Sequence, residues 1–203
     1  MLQIMRKMFY KRMTKRFVLA TLALLLCSAS VSASDGDQQD GKNSERAVGA
    51  VEGGVQLGIC ESLDGYGAGL NVGAEVRYNL KGAPVDVGLL ADANIFFGIP
   101  LSHNVKFSAV GDYNFNQVKW CSQFVGCGVG IGSYSKSIFD FEGGGEDDKI
   151  YSTCFISPRV GLEMFKFLRL TCTLDVPLSD FSFTSFSVSV GVCVGGKNKK
   201  SKR

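Results

Sequence analysis

The stretch "SFTSFSVSVGVCVG" runs from Ser182 to Gly195, and from Phe186 onward it alternates at every step. Phe186, Val188, Val190, Val192 and Val194 share one parity; Ser187, Ser189, Gly191, Cys193 and Gly195 share the other. A period of two places successive side chains on opposite faces of a strand. Which face meets water then decides the class of protein: a soluble barrel that is greasy within, or a barrel that is greasy without and set in lipid.

The same alternation recurs over Ala47–Cys60, Gly67–Leu80, Val85–Phe97, Val105–Phe115, Lys119–Ser133, Tyr151–Met164, Leu168–Val176 and Phe181–Gly195, which predicts eight strands and no helix. Most of these runs exceed the roughly five or six residues of ordinary sheet strands and reach the roughly 9–11 of a tilted strand crossing a bilayer. The connections at 81–84, 116–118 and 165–167 are tight, whereas those after the first, third and fifth strands are longer. Short turns on one rim and longer loops on the other are the pattern of outer-membrane barrels, and an even strand number puts both ends of the barrel on the short-turn rim. The segment from Tyr134 to Ile150 is expected to be the main external loop, mobile and cut first by added protease.

Charges sort by parity. Glu52, Glu75, Arg77, Asp86, Asp92, Lys106, Asp112, Arg159, Glu163, Arg169 and Asp175 fall on the polar faces; on the other faces only Lys119, at the first position of its strand, is charged. The polar faces are also rich in glycine, which suits the cramped lumen of an eight-stranded barrel, only just wide enough to be filled by side chains. Tyr78, Phe97, Tyr113, Phe115, Trp120, Tyr151, Phe181 and Phe186 lie near strand ends, where interfacial girdles form. These signs favour an all-β, eight-stranded antiparallel up-and-down transmembrane barrel with valine and leucine toward lipid and a polar network in the lumen. The soluble alternative is a lipocalin-like barrel holding a ligand inside. Within the lumen, the tight turn at 165–167 predicts Glu163 directly opposite Arg169 as a buried ion pair.

Ahead of the barrel, residues 1–16 carry six Lys/Arg and no acid, and an apolar run from Phe17 to Cys27 leads to small residues ending at Ala33. This reads as a signal peptide over 1–33, too short in its apolar core for a membrane span. Leu26 is too large for the position before a lipidated cysteine, so no lipid anchor is expected at Cys27. Residues 34–46 read as a flexible linker, 47–195 as the barrel and 196–203 as a basic disordered tail. Without the leader, 16 basic residues face 19 acids, so the +3 of the whole chain becomes −3. That balance argues against nucleic-acid binding.

Chemistry is sparse. His103 beside Ser102 is the only histidine, with no acid nearby in sequence, and reads as a loop residue. The acidic run Asp140–Asp148 lacks the ligand spacing of a calcium loop. Six cysteines follow the leader; Cys127, Cys154 and Cys172 fall on apolar parity and read as free packing thiols. No catalytic residue, metal site or cofactor is expected.

The stretch "FISPRVGLEMFKFLRLTCTLDVP" (Phe155–Pro177) resembles the penultimate hairpin of small outer-membrane barrel proteins common in Bacteroidetes, themselves similar to the OmpA/OmpX type. The resemblance implies an outer-membrane location and assembly by the barrel-insertion machinery, and it implies no reaction; a monomeric, non-enzymatic protein is expected. Structural, adhesive or other surface interaction with an envelope or host ligand fits it; a lipid A-modifying enzyme or a narrow pore is the alternative. Such barrels usually finish on a strand-terminal aromatic, whereas this last strand ends in Val194 and a basic tail follows.

Overall fold

The computed structural model describes residues 51–63, 67–80, 83–97, 102–118, 121–139, 146–165, 167–179 and 181–195. The expected signal peptide, linker and basic tail, together with residues 47–50, Lys119 and Trp120, lie outside the described residues.

Eight strands form: β1 (Val51–Ser62), β2 (Ala68–Asn79), β3 (Val85–Phe96), β4 (Ser102–Val118), β5 (Cys121–Phe139), β6 (Glu146–Met164), β7 (Leu168–Pro177) and β8 (Ser185–Gly195). Each pairs antiparallel with its neighbour in sequence, and β8 pairs with β1 from Glu52↔Gly195 to Ser62↔Ser185, which closes the barrel. Closure leaves no unpaired edge, the condition for a sheet to sit in hydrocarbon.

Alternation dictates the two faces, and they are the reverse of those in a lipocalin-like barrel. Val55, Leu57, Ile59, Val72, Val76, Leu89, Val129, Ile131, Val190, Val192 and Val194 are exposed, while the eleven charged residues on the polar faces are buried. Outward residues along β7 and one position past its end run from Leu168 to Leu178 without a charge. Ten steps of about 3.3 Å, tilted by roughly 40°, give an apolar belt about 25 Å tall.

The strand boundaries differ from the sequence expectation most in three regions. β4 starts at Ser102 rather than Val105, and it ends at Val118 beyond a register irregularity after Phe115. More consequential, β5 and β6 stay paired from Cys121↔Met164 up to Phe139↔Glu146, so most of the expected loop from Tyr134 to Ile150 is a β-hairpin and the connection shrinks to residues 140–145. This hairpin runs past its neighbours, since β4 ends opposite Lys136 and the last β7 partner of β6 is Phe155. Before β8, Phe181–Phe183 forms a turn of 3₁₀ helix instead of the start of the strand.

The β6–β7 ladder has a gap. Ile156↔Val176 and Arg159↔Thr173 pair, but no partner is recorded between them for Ser157 and Pro158. Leu178 N–H donates to the Cys154 carbonyl at 2.9 Å, so alternate residues counted from Cys154 point their backbone groups at β7. Pro158 occupies one of those positions without an N–H to give.

Candidate functional site

Four cations, Arg77, Lys106, Arg159 and Arg169, and seven carboxylates, Glu52, Glu75, Asp86, Asp92, Asp112, Glu163 and Asp175, are buried in the lumen, a formal balance of −3. They divide into two clusters along the barrel.

The cluster toward the short-turn rim is built on three arginines. Arg159 from β6 donates through Nε and Nη2 to the two oxygens of Asp112 at 2.7 and 2.6 Å, and Nη2 also reaches Glu75 at 2.7 Å. Arg169 from β7 donates to the same Asp112 carboxylate from another side, and its guanidinium lies 3.8 Å over the Phe124 ring. Arg77 from β2 bridges Glu52 and Glu163, each at 3.2 Å, and lies 3.6 Å from Asp86. Its Nη2 also faces Cys193 Sγ at 3.3 Å. Asn79 and Asn114 donate to Glu52 and Asp86, both at 2.9 Å.

Toward the opposite rim Lys106 is paired with Asp175 and stands 3.4 Å from Asp92. Ser157 donates to Asp175 at 2.8 Å, Asn94 donates to it at 3.3 Å, and Asn71 donates to Asn94 at 2.7 Å. Ser157 and Asp175 flank the ladder gap at Pro158, so side-chain bonds span the wall where pairing fails.

Glu52, Glu75, Arg77, Asp86, Asp92, Asp112, Arg159, Glu163, Arg169 and Asp175, expected to form one lumen network, are all buried, and they divide between the two clusters, Asp92 and Asp175 lying with Lys106. The expected Glu163–Arg169 pair is in register but loose, at 3.8 Å, because Glu163 is nearer Arg77. Sequence reasoning placed Lys106 on the polar face but left it out of the network, and it overlooked the asparagines and the inward aromatics Phe96, Phe124, Tyr134 and Phe155. The inward parity they share with the charges was the available signal.

The Ser102–His103 pairing does not form. Neighbours in a strand point apart, so Ser102 is buried while His103 is exposed on the outer wall, its Nδ1 2.9 Å from Ser135 Oγ. At the same rim Tyr134 stacks between Phe183, 3.8 Å away between ring centroids, and Tyr151 at 5.2 Å. Tyr151, expected in a girdle, thus leans on this stack. Among the described residues no group of three or more His, Cys, Asp or Glu is arranged to hold a metal, and the six described cysteines are free thiols, with Cys127 and Cys154 on the outer face. One recess beside Arg77, Arg169 and Cys193 and another beneath Tyr134 and Phe183 each have room for about one water molecule.

No protein-family model matches the chain, and no curated protein does. Solved structures match in fold. Neisserial surface protein A superposes with a TM-score of 0.54 at 13% identity, over 71% of this chain and 95% of that one. The N-terminal β-barrel domain of Pseudomonas aeruginosa OprF gives 0.46 at 13% identity, over 73% and 98%, and the outer-membrane enzyme PagL 0.43 at 13%, over 70% and 98%. The chain is a closed eight-stranded antiparallel β-barrel with the fold of outer-membrane barrels.

Proposed function

We propose that the chain is exported by its N-terminal signal peptide, inserted into the outer membrane of a Gram-negative bacterium by the barrel-insertion machinery, and serves there as a monomeric, non-enzymatic barrel. Its role is structural or adhesive, carried by the outer rim and the projecting β5–β6 hairpin toward an envelope or host surface ligand. Assignment to the Bacteroidetes type rests on the pattern of the Phe155–Pro177 hairpin.

The observation that carries this reading is the inversion of faces: valine and leucine outside, ion pairs inside. A lumen filled by salt-bridged side chains supports a rigid plugged stave rather than a conduit. Fractionation tests it. The protein should stay with the outer membrane through alkaline extraction, and recovery as a soluble periplasmic monomer without detergent would overturn the reading.

One observation favours an enzyme instead: the His103–Ser135 contact on the outer wall near the rim. A serine activated by histidine would attack an ester carbonyl and expel the alcohol, which requires that Ser135, 3% exposed in the structure, become accessible to the lipid. No described carboxylate bonds the imidazole in the structure. Incubation of the purified barrel with lipid A, wild type against Ser135→Ala, separates the two readings; product formed only by wild type selects the enzyme.

A further inference from the structure

The outer mouth of the lumen holds polar atoms that the fold leaves unmet. Ser62 at the end of β1 and Ser102 and Asn104 at the start of β4 are 5%, 4% and 4% exposed. Among the described residues, Ser62 Oγ, Ser102 Oγ and Asn104 Oδ1 have no hydrogen-bond partner. Burying one such atom is costly, and three at one place point to a use. All three line the recess beneath Tyr134 and Phe183, where Phe96 forms a further wall. The lining thus converges from β1, β3, β4, β5 and the 3₁₀ turn ahead of β8.

Three features select what the recess can take. Its size admits a group no larger than about one water molecule. Its three unmet oxygens can all accept, and a primary ammonium is the compact group with three N–H donors and no acceptor, whereas a hydroxyl donates once. The rings of Phe96, Tyr134 and Phe183 stand around it, and aromatic faces attract cations. The charge beneath has the complementary sign. Lys106, the next inward residue of β4 after Asn104, is outnumbered by Asp175, with which it pairs, and by Asp92 at 3.4 Å. His103 also borders the recess, and its Nδ1 is engaged by Ser135 Oγ at 2.9 Å.

We propose that the outer mouth of the barrel is a binding site for a slender primary ammonium. Its three N–H groups donate to Ser62 Oγ, Ser102 Oγ and Asn104 Oδ1, and its alkyl stem leaves the recess beside the half-buried Phe183. The ligand is the end of a linear amine, either free or carried on a lipid headgroup.

Calorimetric titration of the full chain, refolded in neutral maltoside micelles at about pH 8 where alkylamines are charged, tests it. Methylammonium should bind about tenfold more tightly than tetramethylammonium, which has the charge but no N–H donor. Methanol, with the size but not the charge, should not bind measurably. Asn104→Asp should tighten methylammonium several-fold, and Ser62→Ala combined with Ser102→Ala should weaken it about tenfold. Equal affinity for tetramethylammonium would reduce the mouth to diffuse charge, and equal binding of methanol would reduce it to a water site; either result overturns the proposal. The ligand series on the wild-type chain decides even where a variant fails to fold. In phosphatidylcholine vesicles, competition from added phosphatidylethanolamine assigns the amine to a lipid headgroup, and competition from 1,4-diaminobutane alone assigns it to a free amine; either result upholds the site.

Discussion

Glu163 and Arg169 face each other directly across the β6–β7 ladder, yet Arg77 stands nearer to Glu163 than Arg169 does, and Arg169 donates instead to Asp112. The geometry makes Asp112 the shared acceptor of the cluster. Removing it leaves Arg159 with Glu75 alone and Arg169 with only the looser Glu163 contact, and breaking a buried pair on one side costs about 3–5 kcal/mol. Asp112→Ala should therefore lower the unfolding free energy by up to that much, measured from the urea dependence of the fast-migrating folded band on a semi-native gel. Glu163→Gln combined with Arg169→Leu should show coupling below about 1 kcal/mol, because each side chain has a nearer partner. Strong coupling in that cycle, with Asp112→Ala mild, would reverse the assignment.

Gly161 offers a packing test. A methyl group there would meet the Leu170 carbonyl and lie 2.5 Å from Cζ of Phe124, the ring beneath Arg169. Gly161→Ala should cost about 1–3 kcal/mol by overpacking. Gly53→Ala, with nothing within 4 Å of the added carbon, is the matched control and should be near neutral. Equal effects in thermal unfolding would contradict the packing described.

Pro158 should leave a local weakness in the wall. The amide of Leu174, which faces Pro158 across the interrupted stretch, is expected to exchange hydrogen sooner than those of Leu162 and Leu170, which pair with each other. Pro158→Val restores a donor and should slow that exchange, while global stability changes little: one added hydrogen bond is worth about 1 kcal/mol and loss of proline's unfolded-state restriction offsets about 0.4–1. Uniform exchange along β6 and β7 in wild type would remove the basis for this expectation.

Val190→Arg places a charge at mid-belt and should destabilise the barrel in vesicles by about 2–4 kcal/mol. Val194→Arg, at the strand end near the short-turn rim, should cost about 0–1. A flat response along β8 would mean that no hydrocarbon surrounds it.

The strands and their faces were legible because a period of two is a local property, readable wherever one face is wet and the other is not. It fails where both faces meet the same medium. The ends of β5 and β6, Ser137–Phe139 and Glu146–Tyr151, pair with each other beyond the reach of β4 and β7, and without a flanking strand on either side they read as a loop. Partners within the lumen were illegible for another reason. Arg77 meets Glu163 across 86 positions of sequence, a contact set by strand tilt and stagger that no single strand encodes. His103, read as a loop residue, lies instead in β4 beside Ser102, where neighbours along a strand point to opposite faces.

The pairing of β1 with β8 also imposes an order in time. The first strand made can find its second partner only when the last has been synthesised, so two open edges persist until Ser185–Gly195 arrives. Chains arrested before that point would carry those edges into an aqueous compartment, ready to join other chains. The barrel cannot close piecemeal as it emerges: its two edges stay unpaired until the last strand is in place.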